Sequence, residues 1–176
     1  MNKINTPFDD LYIVENNKIY DDRGWFEKKY HAELMSDISP IVGEVYTSLS
    51  NKNVLRGLHF QRGLKGQSKL VTCLAGSFID IAVDLRKEKS TFGQVFTYKL
   101  DSRSSNSVFI PKEFAHGIFA LEDNSILLNI AGSVYSPGDE GGILWSSLKE
   151  LSFVNNPMLS DKDANLPSWE EIVDSL

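Results

Sequence analysis

Two histidines next to glycines, His59 and His116, and several cations in strand-like sequence are the side chains best suited to move protons or hold negative charge. His59 belongs to Asn53-Val54-Leu55-Arg56-Gly57-Leu58-His59-Phe60-Gln61, where apolar and polar residues alternate as in a β-strand. Alternate side chains of a strand share a face. This predicts Arg56 and Leu58 on one side, with Leu55, Gly57, His59 and Gln61 on the other. Gly57 leaves space beside the imidazole, and a glycine within a strand often marks close approach by a ligand or another backbone. Imidazole titrates near neutral pH and is the commonest proton carrier. A core histidine held by hydrogen bonds fits this window equally well.

His116 lies in Phe114-Ala115-His116-Gly117, also beside glycine, so two barrel histidines could converge on one lumen. A metal is not expected there. Mononuclear sites in β-barrels usually take three or four N or O ligands, often as His-x-His, whereas two residues after His59 stands Gln61. Arg23, Arg56 and Lys69 lie in or next to expected strands, and Arg62 and Lys65 add charge to the adjoining loop. Such a cluster suits phosphate groups or a developing oxyanion, with Lys69 placed to steady an enolate and Arg56 to hold a diphosphate. Asp163, in Leu159-Ser160-Asp161-Lys162-Asp163, reads locally as a solvated loop acid. Asp80 and Asp84 share a strand face, and either could partner a histidine. Cys73 reads as a small core residue. Trp25, Phe26 and Tyr30 read as packing residues, although an aromatic could stack on a nucleotide base.

The elements that must position these groups are mostly strands. Extended segments are expected at Leu11 to Tyr20, ended by the Asp21-Asp22-Arg23-Gly24 turn, and at Trp25 to Tyr30, Val45 to Ser50, Ser68 to Leu74, Phe78 to Leu85, Gly93 to Leu100, Ser107 to Ile110, Ile118 to Leu121 and Ser125 to Ala131. In Phe78 to Leu85, Ile79, Ile81, Val83 and Leu85 fall on one face and Asp80, Ala82 and Asp84 on the other. One or two helical turns are expected over His31 to Asp37, closed by Pro40. A turn region surrounds Pro137-Gly138-Asp139. Ser168 with Glu171 forms a capping box that starts a terminal helix, Trp169 to Leu176. Many short strands with little helix predict an all-β fold, a double-sheet jelly-roll barrel with a few short helices, as a single domain over residues 1–176.

Composition narrows the function. Hydrophobic residues make up 41% and charged residues 24% of the 176, as in ordinary globular proteins. The formal net charge of −6 argues against a nucleic-acid-binding surface, so an anionic ligand would need a local basic cluster. The single cysteine excludes an internal disulfide framework and fits a reducing compartment. No apolar run approaches membrane-spanning length, and Met1 to Asp10 carries no apolar signal core. A cytoplasmic protein without membrane or nucleic-acid partners is expected.

The blocks Asp22-Arg23-Gly24, Asn53 to Gln61, Lys69-Leu70-Val71, Asp80 to Arg86, Thr91-Phe92-Gly93, Ile110-Pro111, Phe114 to Gly117 and Leu159 to Asp163 resemble, in order and spacing, the dTDP-4-dehydrorhamnose 3,5-epimerase family. The resemblance implies a cupin-like jelly roll, a homodimer that exchanges N-terminal strands, and no metal or organic cofactor. It implies inversion of carbons flanking the ketone of a nucleotide-linked 4-keto-6-deoxy sugar. By resemblance, His59 abstracts the proton beside the ketone, Asp163 orients and charges it, and Lys69 steadies the enolate. Arg23, Arg56 and His116 line the sugar and diphosphate site, with Arg23 and Trp25 serving the partner's pocket and Gln61 among the substrate contacts.

The chain departs from the family pattern at three positions. Asn129 stands where the family has a catalytic tyrosine, and an amide cannot give up a proton as a phenol does. Tyr46 replaces a usual substrate-contacting asparagine, and Lys28 a usual glutamate. Tyr135 (the same strand parity as Asn129) and Tyr46 are the two candidates for the missing hydroxyl. Loss of the far-face acid favours inversion at one carbon, C3, and the other two changes suggest an altered sugar or nucleotide, such as a GDP-linked hexose or heptose. A 3,4-ketoisomerase using the same enediol chemistry and a non-catalytic sugar-binding cupin are the alternative expectations.

Overall fold

A computed structural model describes residues 1–33, 35–36 and 42–176. Two antiparallel sheets lie face to face. The six-stranded sheet runs in the order β1 (Asn2–Asn5), β2 (Tyr12–Glu15), β10 (Asn106–Ile110), β7 (Lys69–Ala75), β12 (Ser125–Ala131) and β5 (Glu44–Ser50). The five-stranded sheet runs β13 (Glu140–Gly142), β6 (Leu55–Gln61), β11 (Phe114–Ala120), β8 (Ser77–Asp84) and β9 (Val95–Asp101). A separate hairpin joins β3 (Lys18–Asp21) to β4 (Gly24–Glu27). This is the all-β double-sheet architecture that the alternating pattern predicts, and no described helix is long and apolar enough to cross a membrane.

Strand alternation sorts the side chains into three cores. Val71 and Cys73 of β7, Leu127 of β12, Phe78 and Ala82 of β8, and Phe114 and Ile118 of β11 meet between the sheets. On the outer face of the five-stranded sheet, Leu55, Leu58, Phe60, Ile81 and Val83 are covered by the C-terminal segment through Ile143, Leu151 and Ile172. Leu70, Phe109 and Ile130 pack with Met35 on the outer face of the six-stranded sheet. Strand β8 therefore buries both faces. Its Asp80, Ala82 and Asp84 point inward while Ile81 and Val83 point outward, the partition expected from the sequence.

Several expectations need correction. The strand expected from Leu11 to Tyr20 is two strands, because buried Asn16 leaves the ladder to donate its amide to Ser107 Oγ at 2.9 Å. Asp163 lies not in a loop but on a one-turn helix, α1 (Asp161–Ala164), where it is 4% exposed. Helix α2 (Trp169–Ile172) carries the expected Ser168–Glu171 capping box but tightens to a 3₁₀ turn over Val173–Ser175. The turns expected over His31 to Asp37 fall partly outside the described residues, as does Pro40. The largest correction concerns β6. Arg56, His59 and Gln61 share the inner face, while Leu55 and Leu58 face outward with Phe60, because a register shift against β11 interrupts the alternation.

One buried ion pair anchors the end of β8. Asp84 accepts from Arg86 Nε at 2.8 Å, Arg86 Nη2 at 2.7 Å and Thr91 Oγ1 at 2.6 Å. Burial alone would raise its carboxyl, but Arg86 and Thr91 outweigh this and hold it below the usual 3.8. A carboxyl with a lower pKa in the folded state contributes stability that is complete above its unfolded value and lost as pH falls through the lowered one. Asp84→Asn should cost about 3 kcal/mol at neutral pH by stranding the buried guanidinium. Chemical denaturation should show that loss and a flatter decline in acid than the wild type.

Candidate active site

Gly57 decides which way the central strand faces. Its φ of +111° is reached easily only by glycine, and a Cβ there would sit 2.6 Å from the His116 carbonyl oxygen. Gly57 and Leu58 together oppose Gly117, a β-bulge that brings Arg56 onto the face of His59. His59 is paired across the ladder with His116. Both imidazoles line a cavity between the sheets, in two lobes of about 380 and 330 Å³ that share Tyr46, His59, Lys69 and His116.

Each histidine has its own carboxylate. His59 Nε2 lies 2.7 Å from Asp163 Oδ1, an ion-pair contact in which the ring N–H is not aligned on the oxygen. Asp163 is held by α1, where its backbone N–H donates to the Ser160 hydroxyl. Burial would push its carboxyl up, but His59, the Ser160 hydroxyl and the Gly57 backbone N–H hold it below the ordinary value. It therefore remains a carboxylate at neutral pH, able to orient a neutral imidazole and to stabilise an imidazolium. His116 Nε2 lies 2.6 Å from Asp80 Oδ1, and both are buried. Of the two acids left open as histidine partners, Asp80 makes this contact and Asp84 serves Arg86.

Lys69 reaches the cavity from the six-stranded sheet and makes no hydrogen bond among the described residues. Desolvation lowers its pKa, opposed by the carboxylates of Asp80, Glu140 and Glu44. An ammonium so placed, with no fixed counter-ion, can meet charge that develops on a bound molecule. Arg56 lines the second lobe while donating to Ser50 Oγ at 3.0 Å and the Leu49 carbonyl at 2.9 Å. Asn129 is buried in the wall of that lobe, and its direct partner across the ladder is Tyr46. Tyr46 keeps 39% of its surface exposed, yet desolvation on its cavity side, with Glu44 second, pushes its phenol up to about 12.

Other expected residues are placed differently. Gln61 stands at the cavity wall, but its amide is committed to backbone. It donates to the Lys65 and Val134 carbonyls and accepts from the Ser136 N–H. The Tyr135 hydroxyl, at the rim of the first lobe, donates to Glu140 Oε2 at 2.7 Å. Arg23 does not reach this cavity. Its side chain is 90% exposed, paired with Asp21 on the β3–β4 hairpin, where Trp25 is also exposed. Glu140, which sequence reasoning missed, lines the first lobe opposite Gln61 and is held by Lys162 Nζ at 2.6 Å. Burial would raise it, but Lys162 and Tyr135 keep it below the usual carboxylate value. No sequence signal marked Glu140, whereas Ser160-x-x-Asp163 is a helix-start pattern that could have placed Asp163. Among the described residues, no group of three or more His, Cys, Asp or Glu is arranged to hold a metal ion.

Comparison with known proteins gives one answer. The family model described as dTDP-4-dehydrorhamnose 3,5-epimerase matches residues 5–171. The dTDP-4-dehydrorhamnose 3,5-epimerase of Salmonella typhimurium is 40% identical over 177 residues, 96% of this chain and 95% of that protein. The solved structure of the Mycobacterium tuberculosis epimerase superposes with a TM-score of 0.92 at 30% identity, covering 99% of this chain and 92% of that one. The Legionella pneumophila 3,5-epimerase in complex with dTDP-4-keto-L-rhamnose gives a TM-score of 0.86 at 33% identity, covering 97% and 94%.

Proposed function

From its membership of the dTDP-4-dehydrorhamnose 3,5-epimerase family, to which this chain belongs, we propose that it inverts carbon next to the ketone of a dTDP-linked 4-keto-6-deoxy hexose by proton transfer at His59. The protein is an isomerase of the nucleotide-sugar class. The observation that carries the residue assignment is the contact between His59 and the buried Asp163 at 2.7 Å, opening on a cavity that Lys69 also lines.

A hydrogen beside a ketone is acidic because the charge left by its removal spreads onto the carbonyl oxygen. His59 takes that proton, and Asp163 stabilises the imidazolium that results. Lys69 meets the enolate oxygen in a desolvated cavity, where its charge counts for more than in water. Arg56 binds the diphosphate, and its second role, tying β6 to Ser50 and Leu49 of β5, keeps the guanidinium fixed. The carbon inverted is C3, and C5 on the other flank of the ketone is open to the same chemistry. The GDP-linked sugars weighed from the sequence are set aside, because the relatives are named for dTDP sugars.

Incubation in D₂O with a dTDP-linked 4-keto-6-deoxy glucose, followed by NMR, should show deuterium entering beside the ketone with inversion. His59→Ala should lower exchange on the order of 10²–10⁴-fold. Asp163→Asn should reduce kcat with little change in KM. Undiminished exchange in His59→Ala, or migration of the carbonyl to C3, would contradict the assignment.

The reading extends to a cytoplasmic homodimer that exchanges N-terminal strands. Ile19, Tyr20, Trp25 and Phe26 of the β3–β4 hairpin are exposed apolar side chains, as are Val45 and Leu49 on the edge strand β5. Burying such surfaces is what drives permanent dimers. Arg23 at the hairpin tip would then serve the partner's cavity. Refolding Arg23→Ala together with His59→Ala should restore activity that neither variant has alone, since a mixed dimer holds one site with both residues intact. A mixture no more active than its parts would count against the exchange.

A further inference from the structure

Inversion needs a second group, because a base that merely returns its own proton regenerates the starting sugar. The proton must arrive from the other face. His59 belongs to the five-stranded sheet, so a donor for the opposite face should project from the six-stranded sheet. We propose that Tyr46 is the general acid that delivers this proton, standing across the lumen from His59 and beside the amide of Asn129. The assignment rests on the epimerase reading given above.

Geometry and chemistry both single out this residue. Tyr46 and His59 line both lobes of the cavity, one from each sheet. Packed sheets lie about 10 Å apart, so a pyranose between them presents one face to each wall. Tyr46 is directly paired with Asn129 across the β5–β12 ladder. Residues so paired have Cβ atoms roughly 5 Å apart, so a hydroxyl on either strand serves nearly the same place in the lumen. At position 129 the side chain is an amide, which has no proton to give at neutral pH. The neighbouring position carries the phenol instead.

The Tyr46 hydroxyl makes no hydrogen bond among the described residues, and although the residue keeps 39% of its surface exposed, desolvation on the cavity side raises the phenol and it stays protonated at neutral pH. Tyr135, the other phenol of the cavity among the described residues, lines only the first lobe, and its hydroxyl is already committed as hydrogen-bond donor to Glu140. In the step proposed, His59 removes the proton and becomes imidazolium while the electrons pass to the ketone oxygen. As the enolate collapses, the O–H bond of Tyr46 breaks and a new C–H bond forms on the face opposite the one that lost its hydrogen. The phenolate left behind is reset when His59 returns its proton through solvent. Lys69, on the same wall as Tyr46, offsets the charge in both the enolate and the phenolate.

Tyr46→Phe keeps the ring and removes only the acid. With the dTDP-linked 4-keto-6-deoxy glucose in D₂O, the variant should still exchange hydrogen beside the ketone, because His59 can remove and return it on one face. Inversion should fall on the order of 10²–10⁴-fold relative to wild type. Binding of dTDP, followed by calorimetry, should be unchanged within about threefold, since the nucleotide end does not depend on the phenol. Inversion at the wild-type rate would overturn the assignment, and so would parallel loss of exchange and inversion. Wild type that neither exchanges nor inverts would instead overturn the epimerase reading, and this assignment with it.

Discussion

The whole site depends on two backbones meeting more closely than any side chain allows. Gly57 on β6 and Gly117 on β11 face each other, and a Cβ on Gly117 would lie 2.7 Å from the Arg56 carbonyl oxygen. This close approach creates the bulge that shifts the register of the two strands. Without it, simple alternation would send Arg56 to the outer face, away from His59, and Leu55 into the lumen. With it, three polar residues of one strand line the cavity while Leu55, Leu58 and Phe60 hold the C-terminal segment on the outside. That segment in turn carries Asp163 back to His59, and the Met158 carbonyl binds the Leu55 N–H to bring it there. The same strand thus presents the base and fastens the group that orients it.

Three carboxylates of the site are already matched. Asp163 sits against His59, Asp80 against His116, and Glu140 against Lys162, so each of the three has a cation or imidazole within 2.7 Å. Such pairs rarely add much net stability, because removing two charges from water costs about as much as their attraction returns. Their arrangement makes sense as preorganisation, with orienting groups already fixed when a substrate arrives. Lys69 is the exception, an ammonium without a hydrogen-bond partner among the described residues, and its lowered pKa registers the cost of that exposure to a dry wall. A negative oxygen on a bound sugar would complete the set.

Much of the fold was legible in the sequence because its strands alternate cleanly. Ser125 to Ala131 is a strand at the expected boundaries, with Leu127 turned inward and Ile130 outward. The partition of the faces of β8 was also readable, with Asp80, Ala82 and Asp84 on one and Ile79, Ile81 and Val83 on the other, but not which of the two points inward. Alternation failed where backbone geometry overrides it. The bulge at Gly57 depends on a second glycine far along the chain, and the break at Asn16 depends on a hydrogen bond to Ser107, so neither can be seen from a local window. Asp163 was hidden for another reason, since a polar neighbourhood such as Ser160-Asp161-Lys162 describes a solvated loop and a helix start equally well. The pairing of Tyr46 with Asn129 is a property of the sheet order, which places β5 beside β12. Both residues were visible as departures from the family pattern, but their adjacency was not.

The central claim is that a sugar lies between the two sheets with one face toward His59 and its ketone toward Lys69. A crystal structure of the His59→Asn variant soaked with a dTDP-linked 4-keto-6-deoxy glucose tests it directly, since loss of the base should trap the substrate unreacted. The account predicts the C3 hydrogen pointing at the side chain of residue 59, the C4 oxygen within hydrogen-bond distance of Lys69 Nζ, and the Tyr46 hydroxyl against the opposite face. A sugar seated outside the lumen, or one whose C3 hydrogen faces away from residue 59, would contradict it.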